Sequence, residues 1–327
     1  MLKVNITGVS HAYEITDNRT TNQTETPVLS GDGAPTLVFV HGWLLSQAYW
    51  QPLVEILSTR YRCLTYDLRG FGDSDVAVGD RAMTRRQVQI PMGRTLLETD
   101  LATAGPYQAS SYSLAAYAQD LATLLSELKI DRAWVLGHSL GGSVALWAAY
   151  LFPEQIKGVI CINAGGGIYI PKEFEKFRSA GRQMVKFRPD WLTKVPLLPR
   201  LFSYLMVKQP LEIKWGQQRI KDFIRAERQA AEGSLLETTS EQEVHLLPQV
   251  MGQITQPVHF ITATEDTIMP PRYVRYLASF HPHFKESGEA HESVSEIANC
   301  GHMAMIEQTE SVAAVILNVM ASAASSV

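Results

Sequence analysis

Three short segments carry residue types that together could perform acyl transfer through a serine nucleophile. Ser139 lies in the pattern G-x-S-x-G at residues 137–141, Asp266 lies in "ATEDTIMPP", and His302 lies in "NCGHMAM". A serine hydroxyl is a weak nucleophile, so it needs a base to accept its proton and a third group to orient that base. A serine on a strand-to-helix elbow is followed along the chain by its acid and then by its histidine. We therefore predict Ser139 as the nucleophile, His302 as the base and Asp266 as the acid.

Each of these residues also has an ordinary structural interpretation. Ser139 is compatible with a serine N-cap at a helix start built of small residues. Asp266 is compatible with a solvent-facing loop carboxylate, and Glu265 beside it is a second candidate for the acid. His302 is compatible with a helix cap or a buried core histidine. The strand predicted before Ser139, the helix predicted after it and the presence of all three motifs favour the catalytic interpretation.

The same chemistry needs two backbone N–H groups that stabilise the negative charge developing on a carbonyl oxygen. One donor is predicted to be Leu140, because it directly follows the nucleophile. The other is predicted to be Trp43, in the turn after the apolar run "TLVFV". His41 and Gly42 would shape this turn, and for His41 we favour a buried hydrogen-bonding role over proton transfer.

A parallel sheet covered by helices is expected to position these residues, because short apolar runs alternate with longer helical patterns. Most of the runs are too uniformly apolar to face water on one side. The predicted strands are "LKVNIT", "AYEIT", "TLVFVHG", "RCLTYD", "AWVLG", "VICINA", "VHFITAT" and "VSEIA". Helices are predicted at about 48–58, 113–128, 139–152, 271–280 and 303–322. The expected fold class is therefore α/β.

Three stretches interrupt this alternation. Residues 75–111 are typical of an insertion or a mobile flap, and residues 281–293 form a polar excursion before a strand. The largest stretch, residues 165–253, has no clear strand and carries helical patterns, which predicts a helical cap. We predict that residues 1–164 and 254–327 form one α/β core, and we call residues 165–253 the cap segment.

The cap segment contains a run of large apolar side chains between residues 187 and 210. Some of them are expected to dock the cap on the core. The others either pack internally or line an apolar pocket for a sizeable ester, and both alternatives stay open. The run comprises Trp191, Leu192, Leu197, Leu198, Leu201, Phe202, Tyr204, Leu205 and Met206.

Composition and charge point to a globular protein and to no nucleic-acid surface. Hydrophobic residues make up 46% of the 327 residues, charged residues 19%, and the net charge is −4 without long blocks of like charge. No metal site is predicted. The glycine-rich "NAGGGIY" lacks the lysine of a phosphate-binding loop and the spacing of a dinucleotide-binding loop, so no cofactor is predicted. The expected partner is a small-molecule substrate.

The cysteines and the hydropathy of the chain indicate a compartment. Cys63, Cys161 and Cys300 are widely spaced and odd in number, which predicts reduced thiols. The first residues contain no apolar leader, and no run approaches the roughly 18 apolar residues that a bilayer requires. We therefore expect a cytoplasmic protein, for which a peripheral membrane contact stays open.

Five motifs in this order resemble those of the α/β-hydrolase superfamily: "FVHGW", "YDLRGFGDSD", "GHSLGG", "TATEDTIMPP" and "NCGHMAMIEQ". The resemblance covers nearly the whole chain outside the three interruptions. It implies an eight-stranded, mostly parallel sheet, a triad of Ser139, His302 and Asp266, and a lid over the site. It also implies structural roles in the turn after the fourth strand for Asp67, Arg69 and Ser74.

The resemblance narrows the reaction without fixing it. Haloalkane dehalogenases and epoxide hydrolases of this fold use an aspartate where this chain has Ser139. A carboxylic-ester hydrolase that forms an acyl-enzyme on a moderately large apolar ester is the favoured function. Carbon–carbon bond hydrolases and cofactor-free haloperoxidases keep serine and remain alternatives, as does a non-catalytic receptor or scaffold. The position after "VICIN", where some relatives carry another acid, holds Asn163 and Ala164, which cannot replace Asp266.

Overall fold

In the computed structural model, part of each interruption lies outside the described residues. This applies to most of residues 75–111, to residues 288–292 and to the end of the "NAGGGIY" stretch. The described residues are 1–19, 35–76, 85–87, 108–110, 112–165, 171–287 and 293–325.

A mostly parallel sheet of eight strands forms the centre of the fold and confirms the predicted class. The strands lie in the order β1-β2-β4-β3-β7-β8-β9-β10, where β2 is antiparallel to β1 and β4 and all other neighbours are parallel. The short strands β5 and β6 pair antiparallel outside this sheet. The bounds are β1 Leu2–Ile6, β2 Val9–Thr16, β3 Thr36–Val40, β4 Cys63–Tyr66, β5 Arg85–Gln87, β6 Gln108–Ser110, β7 Ala133–His138, β8 Ile156–Ile162, β9 Val258–Ala263 and β10 Val294–Ile297.

Helices cover both faces of the sheet, which explains why the inner strands β3, β4 and β7 are buried throughout. In β3, Val38 and Val40 pack with α2 and α3, whereas Leu37 and Phe39 pack with α1 and α12. The helices are α1 Gln51–Leu57, α2 Leu114–Glu127, α3 Leu140–Leu151, α4 Pro171–Lys186, α5 Leu198–Tyr204, α6 Ile213–Arg225, α7 Arg228–Thr238, α8 Glu241–Met251, α9 Pro271–Ala278, α10 Pro282–Ser287, α11 Ala304–Glu307 and α12 Thr309–Ser325. Within the described ranges, no helix has the length and apolar character to cross a bilayer.

Two helices differ from the sequence prediction. The helix predicted at about 48–58 begins as a 3-10 turn at Gln47–Trp50, and α1 follows it with a proline in its first turn, where the missing N–H costs nothing. The helix predicted at 303–322 is broken at Gln308, whose φ of −134° and ψ of 51° are not helical. The break separates α11 from α12 directly after Glu307, whose side chain binds backbone N–H groups beside the candidate site.

The turn after β4 is held by side-chain hydrogen bonds that fit the structural roles implied for it. Asp67 Oδ1 accepts the Gln47 N–H at 2.7 Å, and Ser74 Oγ donates to the Asp67 carbonyl oxygen at 2.7 Å. Arg69 is fully buried, with its guanidinium 3.3 Å from Asp120. These contacts fix the turn beside the loop that carries Trp43.

Helices α4 to α8 lie between β8 and β9, in the part of the chain predicted to form the cap. Of these, α8 packs against α3, the helix that follows Ser139. The division of the chain into core and cap segment stays a prediction. The apolar run of the cap segment mostly faces solvent, which neither of the expected alternatives anticipated. Its exposed members are Trp191, Leu197, Leu201, Tyr204, Leu205 and Met206.

Candidate active site

Ser139 occupies a sharp turn between β7 and α3. Its backbone adopts a φ of 52° and a ψ of −118°, a conformation that costs a residue with a side chain about 1–3 kcal/mol. Its N–H donates to the Ile162 carbonyl oxygen at 3.1 Å, at the end of the neighbouring strand β8. The half-buried serine is therefore held at the carboxyl edge of the sheet, where ligands of parallel α/β sheets bind.

Glycines allow this turn to pack tightly against the sheet. A Cβ atom at Gly137 would lie 2.2 Å from the Gly141 carbonyl oxygen, and one at Gly141 would lie 2.1 Å from the Val40 carbonyl oxygen. Both distances are too short for any side chain. The G-x-S-x-G pattern is thus explained by the close approach of α3 to β7 and β3.

Asp266 and His302 form a buried hydrogen-bonded pair at the same edge of the sheet. Asp266 follows β9, His302 follows β10, and Asp266 Oδ2 lies 2.8 Å from His302 Nδ1. Only 4% of Asp266 and 2% of His302 is exposed to solvent. Glu265, the other candidate for the acid, is half exposed and lies 3.7 Å from the Lys208 ammonium group. Of the two carboxylates, Asp266 is the one that contacts the histidine.

The surroundings of Asp266 favour its ionised form. Its Oδ1 accepts the N–H groups of Ile268 and Met269, both at 2.8 Å. Burial raises the pKa of Asp266, but the charge and hydrogen bond of His302, with the bonds from Met269 and Asn163, outweigh it and hold this pKa below its ordinary value. A charged Asp266 fixes the proton on His302 Nδ1, so His302 Nε2 is left to exchange a proton with a substrate or nucleophile.

Asn163 contacts Asp266, and the sequence did not predict this contact. Its Nδ2 donates to Asp266 Oδ2 at 2.8 Å, so it supports the candidate acid, which it cannot replace. Its backbone has a φ of 49°, a left-handed conformation that asparagine tolerates better than most residues. The only sequence signal for this contact was the position of Asn163 directly after β8.

The His302 backbone is held from two sides by residues that sequence reasoning also missed. The His302 N–H donates to the Met206 carbonyl oxygen at 2.8 Å, and the His302 carbonyl oxygen lies 2.8 Å from His138 Nε2. The two imidazole rings pack with their centroids 4.8 Å apart. Burial, together with the nearby His302, lowers the pKa of His138 to about 3, so His138 is a neutral donor to the carbonyl.

Glu307 joins the histidine loop to the cap segment. Its Oε1 accepts the N–H groups of Lys208 and Gln209 at 2.8 and 2.7 Å, and its Oε2 accepts the Gly301 N–H at 2.8 Å. We call residues 206–209 the strap. The strap thus contacts the histidine loop through both Met206 and Glu307.

The two N–H groups predicted to bind an oxyanion lie beside these residues. Leu140 begins α3, where the first N–H groups of a helix have no partner within it. Trp43 lies in the turn after β3, and its indole N–H donates to the Ala231 carbonyl oxygen of α7 at 2.9 Å. As far as the chain is described, no hydrogen bond occupies the backbone N–H of Trp43 or Leu140. His41 Nε2 accepts the Leu68 N–H at 2.9 Å, which fits its expected buried role.

A second buried carboxylate links the Trp43 turn to the cap segment. Asp222 of α6 accepts hydrogen bonds from Ser46 Oγ and Gln218 Nε2, both at 2.9 Å. Burial is the largest cause that raises the pKa of Asp222 to about 7, and the charge of Asp67 adds to it. Tyr49 also contacts this group, and the buried Arg219 lies near Tyr49. This carboxyl group therefore titrates near neutral pH.

The described residues include no candidate metal centre and no ionised thiol. Among these residues, no three His, Cys, Asp or Glu side chains are grouped so that they could hold a metal ion. Cys63, Cys161 and Cys300 are buried free thiols. Burial raises the pKa of Cys63 and that of Cys300 to about 12, which keeps both protonated at neutral pH.

Comparison with known sequences identifies the family. The profile of the alpha/beta hydrolase fold matches residues 35–203, slightly more than half of this 327-residue chain. The chain belongs to the alpha/beta hydrolase fold family. The matched region contains β3, the Trp43 turn, β7 and Ser139.

Individual proteins resemble the chain at sequence identities below 30%. A pimeloyl-acyl-carrier-protein methyl ester esterase of Aliivibrio salmonicida is 27% identical over 257 residues, 77% of this chain and 82% of that protein. An uncharacterised Mycobacterium tuberculosis protein is 26% identical over 254 residues, 75% of this chain but 65% of its own length. A thermophilic esterase from Thermogutta terrifontis shares the fold with a TM-score of 0.68 and 18% identity, covering 99% of both chains.

Proposed function

We propose that this alpha/beta hydrolase cleaves carboxylic esters through an acyl-enzyme on Ser139. The observation that carries the proposal is the buried 2.8 Å contact between His302 Nδ1 and Asp266 Oδ2, at the sheet edge that also holds the strained serine. A fixed carboxylate and a histidine with a free Nε2 are the groups that a serine nucleophile requires.

In the proposed mechanism, His302 Nε2 accepts the Ser139 hydroxyl proton as Oγ attacks the ester carbonyl carbon. The backbone N–H groups of Trp43 and Leu140 stabilise the oxyanion of the tetrahedral intermediate. The intermediate collapses, the alcohol leaves with the proton from His302, and the acyl group stays on Ser139. Water then attacks the acyl carbon while His302 takes its proton, and the second tetrahedral intermediate collapses to release the acid as His302 returns the proton to Ser139 Oγ.

We propose a moderately large apolar ester as the substrate and the cap segment as a lid over the site. The hydrogen bond from the Trp43 indole to Ala231 supports the lid, because it joins the Trp43 turn to α7. The name of the Aliivibrio salmonicida relative, a methyl ester esterase, favours ester cleavage over carbon–carbon bond hydrolysis and haloperoxidation. The three free thiols fit a reducing compartment, so we propose a cytoplasmic location.

A fluorophosphonate probe tests whether the serine is reactive. We expect the probe to label the protein at Ser139 and to leave the Ser139→Ala variant unlabelled. A protein that stays unlabelled while it binds small esters would be a receptor rather than an enzyme.

A series of p-nitrophenyl esters of increasing acyl length tests the substrate class. Each buried methylene contributes up to about 0.8 kcal/mol, so kcat/KM is expected to rise with chain length until the pocket is filled. A steady fall from acetate onwards would contradict a large apolar pocket and favour carbon–carbon bond hydrolysis.

A further inference from the structure

The cap segment presents large apolar side chains to solvent along one side of α5. Leu197, Leu201 and Tyr204 follow one another at intervals of four and three residues, which places them on one helix face. They are 74%, 57% and 51% exposed. Single exposed apolar residues are ordinary, but a row of them on one face marks an interaction surface.

The exposure extends to the preceding turn, which is fixed in place. Phe187 and Trp191 are 68% and 55% exposed. Between them, the Arg188 guanidinium donates to the carbonyl oxygens of Phe223 and Ala226 at 3.0 and 2.8 Å, at the end of α6. The aromatic side chains are therefore held outward by a structured turn.

Basic residues are frequent in the stretch of chain that carries this apolar surface. Residues 184–214 contain six basic and two acidic side chains, a net charge of +4 in a chain whose net charge is −4. Two of the six, Lys208 and Lys214, pair with Glu265 and Glu212. Lys186, Lys194 and Arg200 are exposed to solvent. A surface that combines apolar side chains with excess positive charge is complementary to a negatively charged apolar interface.

We propose that this surface docks the enzyme on an anionic lipid bilayer. We call it the docking face and define it by Phe187, Trp191, Leu197, Leu201 and Tyr204 with Lys186, Lys194 and Arg200. A second copy of the chain is a poorer partner, because two docking faces of like charge would repel each other. The apolar side chains enter the headgroup region, and the cations pair with lipid phosphates.

The docking face leads directly to the candidate active site. Tyr204 is followed by Leu205 and Met206, both exposed, and the Met206 carbonyl oxygen accepts the His302 N–H at 2.8 Å. Adsorption through the docking face would therefore bring the strap and the histidine loop close to the lipid surface.

Co-sedimentation with lipid vesicles tests the proposal without reference to catalysis. The Ser139→Ala protein is mixed with vesicles of phosphatidylcholine alone or with phosphatidylglycerol added. We expect it to bind the anionic vesicles, and to bind them less at high salt. Because this variant cannot form an acyl-enzyme, its binding is independent of the proposed ester hydrolysis.

Variants separate the apolar from the electrostatic contribution. The pair Lys194→Glu and Arg200→Glu should lower the partition coefficient by more than about tenfold, since each cation near an anionic surface contributes about fivefold. The pair Leu197→Ser and Leu201→Ser should also abolish most binding. The charge control is Arg60→Glu with Arg132→Glu, both exposed elsewhere, and the apolar control is Tyr276→Ser, which is 48% exposed on α9.

Several results would overturn the proposal. These are equal binding to both kinds of vesicle, no binding to either, or equal losses in the control variants. Sedimentation velocity on the lipid-free protein tests whether a second copy of the chain covers the docking face. A dimer that the Leu197 and Leu201 substitutions dissociate would assign the docking face to a second copy of the chain instead.

Discussion

Replacing Asn163 by glycine tests how strongly the neighbours of Asp266 support the proposed acid. The substitution removes the Nδ2 donor that lies 2.8 Å from Asp266 Oδ2, and glycine adopts the φ of 49° without strain. A hydrogen bond to a charged group contributes about 1.5–3 kcal/mol. If most of this free energy is lost in the transition state, in which His302 is cationic, kcat/KM should fall by about tenfold or more.

Asn163→Asp gives a second, pH-dependent test at the same position. The introduced carboxyl would lie next to Asp266, and two close carboxylates cannot both ionise at their usual pKa. At low pH a shared proton restores the hydrogen bond, whereas at high pH the two charges repel each other. The ratio of kcat/KM between Asn163→Asp and Asn163→Gly should therefore decrease as the pH rises.

The assay is kcat/KM for a p-nitrophenyl ester as a function of pH, with thermal unfolding of each variant measured in parallel. Asn299→Gly is the matched control, because Asn299 has a φ of 52° and is exposed. Asn163→Gly with the activity of the control would refute the reasoning. So would an Asn163→Asp variant whose activity relative to Asn163→Gly does not change with pH.

Three further predictions concern the acid, the thiols and the cap segment. Asp266→Asn should lower kcat/KM by up to about 10⁴-fold, with Glu265→Gln nearly unchanged, and the opposite ranking in the ester assay would make Glu265 the acid. Thiol reagents should leave esterase activity intact, because all three cysteines are buried; inactivation traced to Cys63 or Cys161 would contradict this. The pKa of Asp222 is raised to about 7, so between about pH 4 and pH 7 the folded protein keeps a proton that the unfolded chain has released. The contribution of this group to the free energy of unfolding therefore falls as the pH rises through that range. Asp222→Asn should therefore raise Tm relative to the parent more at about pH 8 than at about pH 5, and a constant difference would count against it.

The fold could be predicted because its signals are local. Strands such as β3 and β7 are short apolar runs, and each stays apolar throughout because both faces of the sheet are covered. The turn at Ser139 is encoded by glycines within two or three residues of it. The helix bounds at 113–128 and 139–152 are correct to about one residue. The first helix is marked by Ser113, whose side chain accepts the Ala116 N–H, and the second begins after the glycine-flanked Ser139 and ends before Pro153.

The supporting contacts of the site could not be predicted because they join distant parts of the chain. Asn163 and Asp266 are 103 residues apart, and His138 and His302 are 164 residues apart. A motif search finds residues whose neighbours in sequence are distinctive, and it has no signal for a partner that approaches only in the folded state. The exposure of the apolar run was missed for a different reason, because an apolar residue is usually assigned to the core.

The clearest consequence of such a distant contact concerns Glu307, which we infer to be a positioning residue for His302. Its carboxylate accepts three backbone N–H groups, two from the strap and one from Gly301, the residue before the histidine. In Glu307→Gln, the amide oxygen can still accept the strap donors, but the amide nitrogen then faces the Gly301 N–H, so two donors oppose each other. We expect kcat to fall by about tenfold with KM changed much less, because the histidine is misplaced while the pocket is retained. Glu310→Gln is the control, since it makes the same charge change at an exposed position in the first turn of α12. A merely structural role would lower Tm and leave kcat per folded enzyme unchanged, and that result would remove Glu307 from the site.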